Sequence, residues 1–119
     1  ESAPRHVLIA GGIGITPIRS LIEDSPDKDK VLVYSARQTE EMALKPELDN
    51  LAGHNLRNEY LDSSSGRLDK DKLSQLLPDY QEREFYLCGP WPMISAVRKA
   101  LRELGIKRNR IYFEKFSLG

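Results

Sequence analysis

The chain has 119 residues, 39% of them hydrophobic and 30% charged, and its eighteen Lys/Arg balance eighteen Asp/Glu. That length suits one compact domain, residues 1–119, and the cancelled charge gives no global field toward nucleic acid or a membrane surface. The single cysteine excludes an intrachain disulfide and any four-cysteine zinc or iron–sulfur site within the chain. In chain order, His6–Ala10 reads as a short buried strand and Pro17–Asp24 as a helix. Lys30–Ser35 is a second strand, Pro46–Ala52 a helical candidate and Leu56–Leu61 a third strand. Asp69–Leu77 places Leu73, Leu76 and Leu77 on one side, with Pro78 ending it. Glu84–Cys88 is the fourth strand. Pro92–Leu104 is the clearest helix: Met93, Ala96, Val97, Ala100, Leu101 and Leu104 recur at three- and four-residue spacing, and Gly105 is placed to stop it. Arg110–Phe116 is the fifth strand.

Strands alternating with helices imply parallel βαβ units with right-handed crossovers, hence an α/β fold of three layers around a five-stranded parallel sheet. Ligands on such sheets bind at the carboxyl ends of the strands, near the switch in strand order. Gly11–Thr16, Ser35–Arg37 and Cys88–Pro90 are all expected there.

The first of these segments, Gly11-Gly12-Ile13-Gly14-Ile15-Thr16-Pro17, is a glycine-rich turn between strand and helix. Such a turn lets backbone approach a ligand, and the helix behind it offers free N–H groups and a positive dipole end that suit a diphosphate. Gly12 and Gly14 match the start of the dinucleotide fingerprint, but Pro17 stands where its third glycine would be. Pro17 suits the first helical position, where its missing N–H costs nothing. A tight structural turn would read the same way.

The second segment is Cys88-Gly89-Pro90-Trp91-Pro92-Met93. A lone cysteine at a strand end is commonly a small hydrophobe. A cysteine nucleophile needs a nearby base, and His6 and His54 fall at the start of the first strand and in a different loop.

Taken together, Gly12-Ile13-Gly14-Ile15-Thr16-Pro17, Tyr34-Ser35-Ala36-Arg37, Gly66-Arg67, Cys88-Gly89-Pro90-x-Pro92-Met93 and Glu114-Lys115-Phe116 resemble the NAD(P)H-binding domain of the ferredoxin–NADP reductase superfamily. That superfamily includes flavohaemoglobins, oxygenase reductases, and the dehydrogenase portions of ferric reductases and NADPH oxidases. The resemblance runs from Arg5 to Leu118. It implies that Gly11, Gly12 and Gly14 shape the turn against the pyrophosphate, with Ile15 and Pro17 in the same segment and Thr16 near the nicotinamide. It implies that Cys88 lies beside the nicotinamide, that Gly89 and Pro90 hold the strand end open, and that Met93 packs beneath. Glu114 and Phe116 would reach toward a flavin, FAD or FMN, in a neighbouring domain; for Phe116 an edge-strand aromatic is the other reading.

The flavin-binding barrel of such proteins carries Arg-x-Tyr-Ser or Arg-x-Tyr-Thr, and neither tetrapeptide occurs here. Glu1 stands where an initiator methionine would be, so the expectation is a piece of a larger flavoprotein, cytoplasmic or the cytosolic domain of a membrane-bound parent. Its downstream partner would be a one-electron acceptor, a haem or an iron–sulfur centre. The rival is a non-catalytic nucleotide-binding module that kept the fold.

For the choice of cofactor, Rossmann folds often place an acid at the end of the second strand to hold the ribose 2′-OH and repel a 2′-phosphate. Here Ser35 and Arg37 occupy that place, no carboxylate stands within Tyr34–Gln38, and Arg67 offers a second cation. A hydroxyl and a guanidinium suit a phosphate, which favours NADP(H) over NAD(H). Both arginines also fit as solvated loop residues.

Overall fold

The structure, a computed structural model, describes residues 5–12, 15–24, 26–42, 44–53 and 55–116. Five strands, β1 (Arg5–Gly11), β2 (Lys30–Ser35), β3 (Leu56–Leu61), β4 (Arg83–Pro90) and β5 (Ile111–Phe116), form one sheet in the order β3-β2-β1-β4-β5. Every pairing is parallel. Helices α1 (Ile15–Asp24), α2 (Lys45–Leu51), α3 (Lys70–Leu76) and α4 (Trp91–Glu103) cover its faces. The α/β architecture and the parallel sheet are as the alternating pattern implies. No helix among the described residues is long and apolar enough to cross a membrane.

Both sheet faces are buried, so the central strands read as continuous apolar runs rather than alternating ones. On one face Leu8, Ala10, Leu32, Tyr34 and Cys88 pack with Ile15, Ile18 and Ile22 of α1 and Leu48 of α2. On the other, Val7, Ile9, Val33, Phe85 and Leu87 pack with Leu73 of α3 and with Ile94, Val97 and Leu101 of α4. One helical position differs from the periodicity: Ala96 is exposed, and Ile94 takes the core place. Gly105, at φ +88°, stops α4. Its N–H donates to Arg102 O at 3.0 Å and that of Ile106 to Leu101 O at 3.1 Å, a Schellman closure that buries Ile106 against Leu101.

The amino ends of the strands are tied by a buried cation. Arg83 donates from Nε to Asp79 Oδ1 at 2.9 Å and from Nη1 to His6 O at 3.1 Å and Asp29 Oδ1 at 3.2 Å. Arg5 meets the other oxygen of Asp79 at 2.9 Å. Arg110 in turn donates to Arg83 O.

Several boundaries differ from the sequence reading by one or two residues, and two helix starts bear on the site. The first helix begins at Ile15, which makes Pro17 its third residue rather than its first. The position still lies in the first turn, where an N–H has no intrahelical partner, so proline remains compatible. The last helix begins at Trp91, with Pro90 as its N-cap and Pro92 within its first turn.

Candidate functional site

Strand order reverses between β1 and β4, so their carboxyl ends diverge into separate loops and leave a crevice between them. A cavity of about 1200 Å3 opens there. Gly11, Gly12, Ile15 and Thr16 form one wall, from the end of β1 and the start of α1. Ser35 ends β2 and Arg37 follows it, and Arg67 follows β3. Pro90 and Met93 close it from β4 and α4. The chain thus gathers nine of the sequence-derived positions around one space. Gly14 lies outside the described residues.

Glycine matters at this floor for two different reasons. Gly12 has φ +56°, a left-handed conformation, and a Cβ there would meet no atom within 4 Å. Open space beside bare backbone is what a ligand needs to approach. At Gly11 and Gly89 the space is already filled from within. A Cβ on Gly11 would stand closer than 3.0 Å to Met93 Sδ, and one on Gly89 would stand 2.9 Å from Met93 Cε and 3.2 Å from Gly11 O. The thioether of Met93 therefore seals the joint between β1 and β4 and forms the floor of the cavity.

Several expected residues lie elsewhere. Cys88 is 3% exposed and does not line the cavity; it packs with Ala10, Ile15 and Ile18 on the α1 face. Burial, with a smaller contribution from Glu114, pushes its thiol up to about 11, so the group is neutral. His6 pairs with Glu84, four residues before Cys88 and about 13 Å along the strand, too far to act as its base. Gly89 is buried, and Pro17 and Glu114 are not in the cavity wall; the side chain of Phe116 lies outside what the structure describes. Glu114 is exposed and in register with Cys88, while the backbone of Phe116 is in register with Pro90.

The walls also hold residues that the motifs did not single out. Arg37, with an 88% exposed side chain, meets Glu41 across 3.2 Å, so a carboxylate does approach the end of β2. It comes from a helical turn further along the chain, outside the window Tyr34–Gln38. Asp62 and Asp69 are engaged by neighbouring backbone: Ser64 N donates to Asp62 at 2.9 Å, and Lys72 N to Asp69 at 2.9 Å. Arg67 has no ion pair or hydrogen bond among the described residues. Ala96, Lys99 and Glu103 line the α4 side, one turn apart, and of these only Ala96 belongs to the apolar spacing of the helix.

A family model described as an oxidoreductase NAD-binding domain matches residues 8–99. The flavohemoprotein of Oceanobacillus iheyensis is 30% identical over 92% of this chain and 30% of its own length. Phenoxybenzoate dioxygenase subunit beta of Ectopseudomonas oleovorans is 37% identical over 98% of this chain and 36% of its own. Among solved structures, a flavohemoglobin from Malassezia yamatoensis with bound FAD and heme superposes with TM-score 0.80 at 27% identity, over 98% of this chain and 33% of that one. The chain spans about a third of the length of these relatives. The match begins inside β1, takes in the glycine turn, the end of β2 and the joint of β4 with α4, and runs most of the way along α4, which are the elements that build the cavity. With the fold and the ordered motifs, it places this chain in the oxidoreductase NAD-binding domain family.

Proposed function

We propose that the cavity binds NAD(P)H and that the domain presents the nicotinamide to a flavin, FAD or FMN, carried by a neighbouring domain of a larger protein. The observation that carries this reading is the convergence of the glycine turn, Ser35, Arg37, Arg67, Pro90 and Met93 on one cavity at the switch in strand order. The fit to a dinucleotide rests on the open backbone at Gly12 and on two exposed guanidiniums on the walls. In this reading the turn of Gly11, Gly12 and Gly14 and the amino end of α1 hold the pyrophosphate, with Ile15 and Pro17 shaping that end. Thr16 stands at the nicotinamide end. Cys88, with Gly89 and Pro90, sets the level on which the ring rests, and Met93 supports it from below.

When bound, the dinucleotide supplies a hydride and the flavin accepts it, passing electrons singly to an acceptor such as a haem or an iron–sulfur centre. Glu114 and Phe116, at the carboxyl end of β5, face that neighbour in this reading. The names of the relatives, a flavohemoprotein and an oxygenase subunit, and a neighbour solved with FAD and heme support it.

The cofactor favoured is NADP(H). Ser35 and Arg37 suit a 2′-phosphate, Arg67 adds a cation, and the competing pair of Arg37 with Glu41 is solvent-exposed and therefore weak. Calorimetry of NADP+ and NAD+ against the chain and Arg37→Ala tests both levels. Expected is binding of both nucleotides, with a loss of roughly ten- to a hundredfold for NADP+ alone in the variant. Equal losses for the two overturn the preference; no binding of either overturns the site.

A further inference from the structure

The balanced total charge conceals a strong segregation. Residues 91–116 carry seven Lys/Arg and two Asp/Glu, whereas residues 1–90 carry eleven and sixteen. In the fold, the basic segment is α4, the turn after it, and β5, which together make one edge of the sheet. The opposite edge, residues 39–62 around α2 and β3, carries six Asp/Glu and two Lys/Arg. The domain is therefore a dipole across its sheet, positive at β5.

Apart from Arg110, which donates to Arg83 O, and Lys99, which lines the cavity, the cations of this edge make no ion pair or hydrogen bond with the described residues. Among the described residues, every ion pair within 4.0 Å joins groups between Arg5 and Glu84. On the β5 edge, Arg98 lies 4.5 Å over the ring of Phe113, Phe113 lies 5.9 Å from Trp91, and Lys115 lies 5.4 Å over Trp91. Trp91 and Phe113 are nonetheless 44% and 43% exposed. Arg102, Lys107 and Arg108 continue the stripe toward the amino end of β5. Lysine on an edge strand is a common guard against edge-to-edge pairing. That accounts for Lys115 and not for the arginines of α4 and the following turn.

We propose that this edge is a docking surface for a carboxylate-rich protein surface. Preformed aromatic–cation stacks lose little side-chain freedom on binding, and Trp, Tyr, Phe and Arg are the residues enriched in protein interfaces. The dipole orients an anionic protein toward β5 during encounter. A bilayer or a long nucleic acid would also extend past the stripe toward the acidic remainder and be repelled there. The stripe begins at Trp91, next to Pro90 in the cavity wall, so its occupant sits beside the mouth of the site.

Trp91 is the only tryptophan of the chain, so its emission reports on this surface directly. The test titrates the chain with poly-L-glutamate, phosphatidylserine-containing vesicles and single-stranded DNA, following Trp91 emission and backbone amide shifts. Expected with poly-L-glutamate are shifts confined to residues 91–116, and an affinity that falls roughly tenfold as the Debye length shortens from ~30 to ~10 Å. The variant R98E/R102E/R108E should lose that binding, whereas K28E/K45E/K70E, with the same change in net charge, should keep it. Dichroism and NAD(P)+ affinity establish that each variant is folded, and Lys115→Glu repeats the measurement with a single substitution. The proposal is overturned if both triple variants weaken binding equally, if the shifts lie outside residues 91–116, or if vesicles or DNA bind more tightly than poly-L-glutamate.

Discussion

The thioether of Met93 occupies the space a side chain on Gly11 would need, and the same methionine reaches across to Gly89 on the adjoining strand. The two glycines differ in what surrounds them. At Gly11 the obstacle is the flexible end of a methionine that can swing aside, and the open side available to it is the cavity. At Gly89 the obstacle includes the backbone of Gly11, with O at 3.2 Å and N at 3.3 Å, which cannot. Gly11→Ala should therefore cost less than about 1 kcal/mol in stability yet weaken dinucleotide binding roughly tenfold, because Met93 is pushed into the groove. Met93→Ala in that background should restore much of the affinity, a non-additivity that a double-mutant cycle measures. Gly89→Ala should instead lower stability by about 1–3 kcal/mol. Additive effects of the Gly11 and Met93 changes would dispose of the interlock.

Glu41 competes with any phosphate for Arg37, since its Oε2 stands 3.2 Å from the guanidinium and its Oε1 accepts from Gln38 N at 3.3 Å. Glu41→Gln removes the charge and keeps the shape. The expected result is a several-fold gain for NADP+ with little change for NAD+, the scale of an exposed ion pair. Titration calorimetry at two salt concentrations checks it, because the gain should shrink as screening increases. A variant with unchanged affinity for both would mean that Arg37 does not contact the 2′-substituent.

How much of this was legible beforehand follows from which forces act locally. The strands and helices were readable because turn residues and apolar periodicity are set by neighbours in sequence, and Lys30–Ser35 and Leu56–Leu61 fall on the observed strands residue for residue. The convergence of the glycine turn with Pro90 and Met93 was readable from two motifs and the rule that parallel sheets bind ligands at their carboxyl ends. What was not readable depends on packing between distant segments. Ala96 fits the apolar spacing of α4 as well as Ile94 does, and only the placement of the sheet decides which one is buried. Gly11 reads as a turn glycine in sequence, whereas its small size answers to a methionine about eighty residues away. Glu41 falls outside any window drawn around the end of β2, because a short helical turn at Thr39–Glu41 brings it back to Arg37.

The amino ends of the strands should govern the acid stability of the fold. A hydrogen bond from buried Arg83, assisted by one from Arg5 and opposed by burial, holds the Asp79 carboxyl below the usual carboxylate range. A depressed carboxyl stabilises the fold above its unfolded value, near pH 4, and that stability is lost as pH falls through the lower folded value. Asp79→Asn should therefore cost about 1–3 kcal/mol at neutral pH and make the decline below about pH 4 shallower. His6 acts in a separate window. Burial, with Lys28 adding to it, lowers the pKa of its imidazole. The unfolded chain then takes up the proton first, and stability falls as pH drops below about 6.5. His6→Phe should flatten that second slope alone. Urea denaturation at a series of pH values separates the two, and an unchanged acid limb in Asp79→Asn would remove the clamp from the account.

Cys88 should behave as a buried thiol whose worth lies in packing. It is 3% exposed, packs among residues of β1 and α1, and its pKa stands at about 11. At pH 8 the thiolate fraction is then a few hundredfold below that of a free cysteine with pKa near 8.5, so alkylation by iodoacetamide should be slower by roughly that factor or more. Labelling should quicken only as the chain unfolds. Cys88→Ala should cost about 1 kcal/mol through lost contacts. Cys88→Ser should cost more, about 1–3 kcal/mol, because its hydroxyl must be buried among apolar neighbours. If the thiol also sets the level of the nicotinamide, the serine variant of the full-length protein should bind NAD(P)H nearly as tightly but reduce its flavin more slowly, by up to about a hundredfold for a displacement near 1 Å. Stopped-flow reduction under saturating nucleotide distinguishes that step from binding. Rapid alkylation of the folded chain would contradict the burial, and wild-type flavin reduction in the serine variant would leave Cys88 a core residue and nothing more.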